Sequence, residues 1–143
     1  MKQLAYMMIA MLTLGACDIY TSDNGDLDGY WQLHTVDTLS TGGTCDMRDS
    51  MKYWSYQTDL LYLTDRTEDV NNIFMRFEMK DGQMTVSNPI IDKRDSFDIV
   101  LKDYDILRHY GIHDVPETLR IVELTSGRMV LENRLLRLYF RKY

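Results

Sequence analysis

Few residues of this 143-residue chain have the types and spacing that catalysis or metal binding requires. The three histidines are His34, His109 and His113, and no two of them share a predicted helix, as the helical pair of a zinc motif must. The sequence also lacks a Gly-x-Ser-x-Gly nucleophile motif and a glycine-rich phosphate loop. We therefore predict that the chain is not an enzyme and holds no metal or cofactor.

Asp92, Asp95 and Asp98 lie near one another in the sequence. The chain has 22 acidic residues, and a cluster on so acidic a chain is usually solvated surface. We interpret these three aspartates as surface residues and not as a site.

A thiol is the remaining candidate for chemistry. Cys45 follows Thr41-Gly42-Gly43-Thr44, which is typical of a loop. A lone thiol in a secreted protein can be a nucleophile or form an intermolecular bridge. No histidine lies near Cys45 in the chain to lower its pKa, so an incidental loop cysteine is the favoured interpretation and its role stays open.

The N-terminal segment has the features of a secretory signal. Lys2 gives a basic start, and an almost unbroken apolar run ends in Leu14-Gly15-Ala16-Cys17. The run is shorter than the roughly 20 apolar residues that a membrane span needs. Its last four residues resemble the lipobox of bacterial lipoproteins.

The lipobox resemblance implies that residues 1–16 are removed and that the sulfur of Cys17 carries a diacylglyceryl group. An ordinary secretory signal whose cysteine lies near the cut is the alternative. Two or more acyl chains hold a protein stably on a membrane, whereas a single chain holds it reversibly. We therefore predict a lipid anchor at Cys17 and a location in the cell envelope, on the periplasmic or the surface face of the outer membrane.

Charge excludes one class of partner. The chain has a formal net charge of −6, and loss of Lys2 with the signal makes the mature chain one unit more negative. Such a surface repels phosphate backbones, and no stretch gathers lysine and arginine between aromatic residues. We predict no nucleic-acid partner.

The mature chain has the length of one domain, preceded by a linker. Residues 18–28 read Asp-Ile-Tyr-Thr-Ser-Asp-Asn-Gly-Asp-Leu-Asp, which is acidic and without periodicity. This composition predicts that residues 17–28 form a flexible tether between the lipid and a domain over residues 29–143. The aspartates lack the spacing of a calcium loop. The stretch is loosely similar to the acidic signal of lipoproteins exported to the surface of some Gram-negative bacteria.

Alternating apolar and polar residues predict about eight short strands. Asp81-Gly82 and Ser126-Gly127 are predicted turns, and Asn88-Pro89 is predicted to end a strand. Short links between the strands indicate an antiparallel up-and-down meander that closes into a barrel. The predicted strands are Tyr30–Val36, Met51–Gln57, Leu60–Thr64, Asn72–Lys80, Gln83–Ser87, Thr118–Leu124, Arg128–Glu132 and Leu135–Lys142.

One short helix interrupts the strands. Asp103 is a predicted N-cap, and Gly111 is the predicted stop after Arg108 and His109 in the last turn. Its apolar face can seat on the sheet as a lid or plug. The predicted fold class is therefore mostly β, with about eight strands and one short helix.

The first strand and the last strand pair of the predicted barrel resemble those of lipocalins. Gly29-Tyr30-Trp31 resembles the Gly-x-Trp signature of the opening strand, and the pairing of 129–131 with 136–142 resembles the end of small lipocalin-like lipoproteins of Gram-negative bacteria. The resemblance implies that Trp31 packs at the closed end of the barrel beneath an arginine of the last strand. Arg137 and Arg141 are both candidates for that partner.

Aromatic residues on the second and third predicted strands indicate a filled core, an apolar pocket or a flat binding face. Alternation does not decide whether Tyr53 or Trp54 points inward. We name Trp54, Tyr62 and Phe77 as candidates to line a ligand cavity. Two functions follow. One is a module that binds a small apolar or amphipathic ligand in the barrel. The other is a lipoprotein with a filled barrel that acts through its loops, either in an envelope complex or as an inhibitor of a foreign or host enzyme.

Overall fold

The computed structural model describes residues 22–93 and 99–143. Within these residues every strand pair is antiparallel, and β1 pairs with both β3 and β10. The strands are β1 Gly29–Thr38, β2 Thr44–Asp46, β3 Lys52–Gln57, β4 Leu60–Asp65, β5 Ile73–Lys80, β6 Gln83–Ile91, β7 Ile99–Val100, β8 Glu117–Leu124, β9 Arg128–Glu132 and β10 Leu136–Lys142.

Eight of these strands close into a barrel, in the order β1-β3-β4-β5-β6-β8-β9-β10. The closed antiparallel barrel with one short helix confirms the predicted fold class. All barrel strands except β6 begin and end within two residues of their predicted bounds. β2 and β7 are additional strands, pairing with the distal half of β1 and the end of β6.

The prediction that Asn88-Pro89 ends a strand is wrong, because a bulge carries β6 past the proline. Phe74 is opposite Ile90, whereas Arg76 is opposite Ser87, so β6 has one more residue than β5 at this point. Asn88 occupies the extra position with a φ of 53°. A bulge tolerates a proline, which has no N–H to donate to the ladder.

The core fills the barrel interior. Trp54 points inward into this core, while Tyr53 is buried on the outer wall, where its ring stacks on Tyr30 with centroids 4.6 Å apart. Tyr143 packs edge-on against Tyr53, and Arg66 lies 5.8 Å from the centroid of the Tyr53 ring. Both residues of the pair are thus buried, which explains why alternation could not separate them.

A 3₁₀ helix, Tyr104–Tyr110, covers one end of the barrel. The side chain of Asp103 accepts a hydrogen bond from the backbone N–H of Asp105, and Gly111 follows with a φ of 86°, as its cap positions predicted. Leu107 and Tyr110 are fully buried. No helix in the described ranges is long and apolar enough to cross a membrane.

The other end is covered by residues 22–28, which were predicted to be a flexible tether. They contain a 3₁₀ turn, Gly25–Leu27, whose Leu27 is fully buried in the core. Asp28 accepts hydrogen bonds from Ser22 and Asn24. The tether prediction is therefore wrong for residues 22–28, because one apolar side chain and a set of polar contacts fix this segment to the barrel. The rest of the predicted tether, including Cys17, lies outside the described residues.

Candidate functional site

The closed end of the barrel is built around Trp31, which is fully buried. Its indole N–H donates to the carbonyl of Leu27 at 2.8 Å. The ammonium of Lys142, which is opposite Trp31 in the ladder, lies 4.7 Å from the ring centroid and also donates to the carbonyl of Asp26 at 2.8 Å. Lys142 thus connects the last strand, the tryptophan and the N-terminal turn.

The cation over Trp31 is therefore Lys142 and neither Arg137 nor Arg141. On β10, Leu138 and Phe140 point into the barrel, and Lys142 is next in that alternation, whereas the two arginines occupy the outward positions. The sequence already indicates this placement, because position 142 continues the alternation of the apolar residues Leu138 and Phe140. The expectation of an arginine came from the resemblance alone.

The two arginines have other surroundings on the outer wall. Arg137 donates to the carboxylate of Glu132 at 2.7 Å. Arg141 is exposed and borders an open groove of about 330 Å³ with His34, Asp37 and Arg128. This groove lies at the point where β1 and β10 shift register.

Two of the three candidate ligand-lining residues lie inside the barrel. Trp54 is fully buried, packs on Phe140 with centroids 5.0 Å apart, and donates its N–H to the carbonyl of Tyr110 at 3.2 Å. Phe77 is 7% exposed and packs edge-on against Tyr56 at 5.1 Å. The covering helix and the inner wall therefore fix Trp54 from two directions.

Tyr62 is not an interior residue. On β4 the buried positions are Leu61, Leu63 and Asp65, so Tyr62 lies on the outer wall. There its ring stacks on Phe74, with centroids 4.2 Å apart, and its hydroxyl donates to Asp92. The prediction that Tyr62 lines the interior is wrong because the strand alternates with Leu61 and Leu63 inward.

The inward side chains leave little room for a ligand among the described residues. The hydroxyl of Tyr56 contacts the sulfur of Met84 at 3.4 Å across the interior. A cavity next to these side chains would leave them accessible surface, yet their exposed fractions run from 0 to 7%. The largest of them are Trp31, Trp54, Tyr56, Met75, Phe77, Met84 and Phe140.

At the helix-covered end, a buried ion pair orders a loop. The ammonium of Lys52 lies 3.0 Å from the carboxylate of Asp65, with the side chains 6% and 0% exposed. Asp65 also accepts hydrogen bonds from the backbone and hydroxyl of Thr67 and from the N–H of Val70. Burial alone would raise the pKa of Asp65, but these hydrogen bonds and Lys52 lower it well below its usual range.

A second buried carboxyl at this end has the opposite shift. Glu117, 6% exposed at the start of β8, accepts a hydrogen bond from the backbone N–H of His113 at 2.9 Å. Burial and, to a smaller extent, the charge of Asp114 raise the pKa of Glu117 to about 7, against the hydrogen bond from His113 and the attraction of Arg134. The folded state therefore favours a neutral Glu117.

This shift predicts a pH dependence of stability. Because the folded pKa is about 7 and the ordinary value is 4.5, the contribution of Glu117 is most favourable below pH 4.5 and is lost as the pH rises through 7. The free energy of unfolding should therefore fall by up to about 3 kcal/mol between these two pH values, and we expect Glu117→Gln to remove this fall. Urea unfolding at pH 5 and pH 8 measures it, with the exposed Glu78→Gln as control. Equal pH slopes for both variants would contradict the prediction.

The chain matches a known protein family over most of its length. The model of the lipocalin-like domain matches residues 10–143. The chain belongs to the lipocalin-like domain family. No curated protein sequence matches this lipocalin-like chain.

Solved structures similar to this lipocalin-like chain include two from Bacteroides. One is a lipocalin-like protein from Bacteroides uniformis ATCC 8492, with 18% identity, a TM-score of 0.64, and coverage of 83% of this chain and 100% of that one. The other is an uncharacterized protein from Bacteroides eggerthii DSM 20697, with 18% identity, a TM-score of 0.57, and coverage of 82% and 99%. At this identity the likeness is one of fold.

The histidines and the free thiol in the described part of the lipocalin-like barrel do not meet at one metal site. His109 and His113 are four residues apart but do not share a helix, because Gly111 ends the helix between them. Among the described residues no three His, Cys, Asp or Glu side chains are placed to hold a metal ion. Cys45 is an exposed free thiol on β2. Asp92 accepts from Tyr62, and Asp95 and Asp98 lie outside the described residues.

The structure has an apolar groove on the outer wall that was not predicted from the sequence. This outer groove has a volume of about 410 Å³ and lies over β4, β5 and the bulge of β6. A smaller depression of about 220 Å³ adjoins it at Leu60 and Phe74 and reaches Thr58. The outer groove is lined by Leu60, Phe74, Met75, Arg76, Asn88 and Ile90.

Proposed function

We propose that this lipocalin-like chain is an envelope lipoprotein, anchored through lipid on Cys17, whose filled barrel is a scaffold for binding a protein partner of the envelope. The observation that carries the proposal is the packing of the interior. Its large inward side chains have exposed fractions of 0 to 7%, whereas pockets for small molecules have volumes from about 300 Å³. The proposed activity is binding, without catalysis, metal or cofactor.

Opening the barrel for a ligand would disturb several contacts at once. Trp54 is packed on Phe140 and hydrogen-bonded to the covering helix through the carbonyl of Tyr110. Moving this indole would leave a buried N–H and a buried carbonyl unpaired, which costs about 1–3 kcal/mol for each group. A rigid, filled barrel instead supports loops and wall residues in fixed positions, as a protein-binding scaffold requires.

A small apolar or amphipathic ligand in the barrel is the second candidate function. The observation in its favour is the apolar and aromatic inner wall, with Trp54 and Phe77 on it. Binding would require these side chains to move together, so the ligand would have to supply more contact energy than the closed packing provides.

Native mass spectrometry of the full chain, purified in mild detergent from its own cell, distinguishes the two functions. We expect the mass of the lipidated chain with or without a protein partner, and no additional small molecule. A small molecule that leaves only on unfolding would show that the barrel takes a ligand. Phe77→Ala is the matched variant because it widens the interior. If the barrel binds a ligand, the fraction of chains that carry the ligand should change in this variant.

The anchor itself is tested by Cys17→Ser. We expect this variant to leave the detergent phase in a phase-partition experiment, because the thiol that would carry the acyl chains is gone. Cys45→Ser is the matched control and should partition like the parent chain, since Cys45 is a free thiol of the folded domain. If Cys17→Ser stays in the detergent phase, Cys17 is not the anchor.

A further inference from the structure

The N-terminal end of the described chain is fixed to the turn between β3 and β4. The hydroxyl oxygen of Ser22 accepts a hydrogen bond from the backbone N–H of Thr58 at 2.7 Å. The side-chain amide of Asn24 donates to the carbonyl of the same Thr58 at 2.8 Å. The chain therefore enters the domain beside this turn and not from the helix-covered end.

The connection from this point to the proposed lipid is short. Four residues, 18–21, separate Cys17 from Ser22. Five steps of at most about 3.4 Å each give a reach of roughly 17 Å, even for a fully extended chain. With a lipid on Cys17, which is the proposed function on which this inference rests, the turn at Thr58 must lie within that reach of the bilayer surface.

The outer groove begins beside the same turn. Leu60 is two residues beyond Thr58 and lines both the outer groove and the adjoining depression. The stacked rings of Tyr62 and Phe74 continue this apolar surface along the wall. Arg76 borders the groove with its side chain 54% exposed, and it pairs with Asp59 at 2.7 Å. An apolar surface flanked by an exposed guanidinium has the chemistry of a site for the interfacial region of a phospholipid bilayer.

We infer that the outer groove and the Thr58 turn lie against the bilayer to which the chain is anchored. Phospholipid is the occupant that the short connection favours, because no other partner is held within reach of this face by the chain itself. The opposite end of β1, where Thr38 pairs with Leu136, then points away from the membrane. β1 has ten residues, about 30 Å of strand, which separates the loops at that end from the anchored end of the barrel and leaves them accessible to a protein partner.

The inference is tested with fluorescent labels on the lipidated full chain. Single cysteines are introduced at Leu60 or at the exposed Gln57 in a Cys45→Ser background, and an environment-sensitive fluorophore is attached. Leu135, an exposed apolar residue in the loop between β9 and β10, provides the control label at the far end. The proteins are reconstituted in vesicles of phosphatidylethanolamine and phosphatidylglycerol that contain a nitroxide on the lipid headgroup.

We expect several-fold stronger quenching of the labels at positions 57 and 60 than of the label at 135. Equal quenching at all three positions, with the protein still bound to vesicles, would overturn the inference and leave the lipid anchor in place. Protection of position 60 from a water-soluble quencher without quenching by lipid would also overturn it and would indicate a second copy or the chain itself in the groove. Failure of the chain to bind vesicles at all would instead contradict the proposed anchor.

Discussion

Trp31→Ala should unfold the domain or lower its free energy of unfolding by about 3–5 kcal/mol. The indole is fully buried, its N–H is bonded to the carbonyl of Leu27, and its face carries the ammonium of Lys142. Removing the ring therefore leaves a cavity at the closed end, an unpaired carbonyl of Leu27 and the ammonium of Lys142 without the aromatic face beneath it. Small domains are stable by only about 5–15 kcal/mol, so this loss is a large share of the total.

Urea unfolding of the soluble Cys17→Ser form, followed by circular dichroism, measures the effect of Trp31→Ala. Trp31→Phe is the matched variant because it keeps one aromatic ring and loses the hydrogen bond to Leu27 and the pyrrole part of the indole. We expect it to cost clearly less than the alanine variant. Nearly equal stabilities of Trp31→Ala and the parent would show that the closed end does not depend on this ring.

Lys52→Met should destabilise the domain by about 3–5 kcal/mol, because it leaves a buried carboxylate without its cation. Asp65 is 0% exposed in the pair, and its lowered pKa keeps it ionised at neutral pH. Methionine has a similar length and can fill the space of the lysine stem, so the loss reports mainly the charge. We also expect faster hydrogen exchange at Thr67 and Val70, whose amides bind the same carboxylate.

Arg76→Met is the matched control for Lys52→Met. Arg76 and Asp59 are also paired, at 2.7 Å, but their side chains are 54% and 65% exposed. An exposed pair of this kind contributes about 0–1 kcal/mol. A similar loss of unfolding free energy in the two variants would mean that burial does not make the pair of Lys52 and Asp65 more stabilising than an exposed pair.

The barrel strands and the helix were predictable because their signals are local. The Ser126-Gly127 turn and the apolar run 129–131 predicted the bounds of β9, and Asp103 and Gly111 marked the ends of the helix through their capping chemistry. The resemblance of the opening strand to lipocalins predicted that Trp31 packs at the closed end of the barrel. Closure of the barrel followed from the number of strands and the short links between them.

The residues that were misplaced depend on contacts between distant parts of the chain. Leu27 is one apolar residue in an acidic stretch, and only the end of the barrel it enters makes that stretch ordered. The outer groove depends on the bulge at Asn88, which sequence rules treated as a strand end. Tyr62 and Lys142 could have been placed from the sequence. On each strand the alternation of apolar residues shows which side chains point inward.

Closure of the barrel between β1 and β10 also determines when the chain can fold. The hydroxyl of Tyr139 donates to the carboxylate of Asp37 across 102 residues of sequence, and the whole β1–β10 ladder has separations of this order. Contacts so distant in sequence slow folding, since the loop between them must close first. A chain still emerging from the ribosome cannot complete its barrel until the last seven-residue strand is available. For the exported lipoprotein that we propose, late closure would delay the complete barrel until the whole chain has been made.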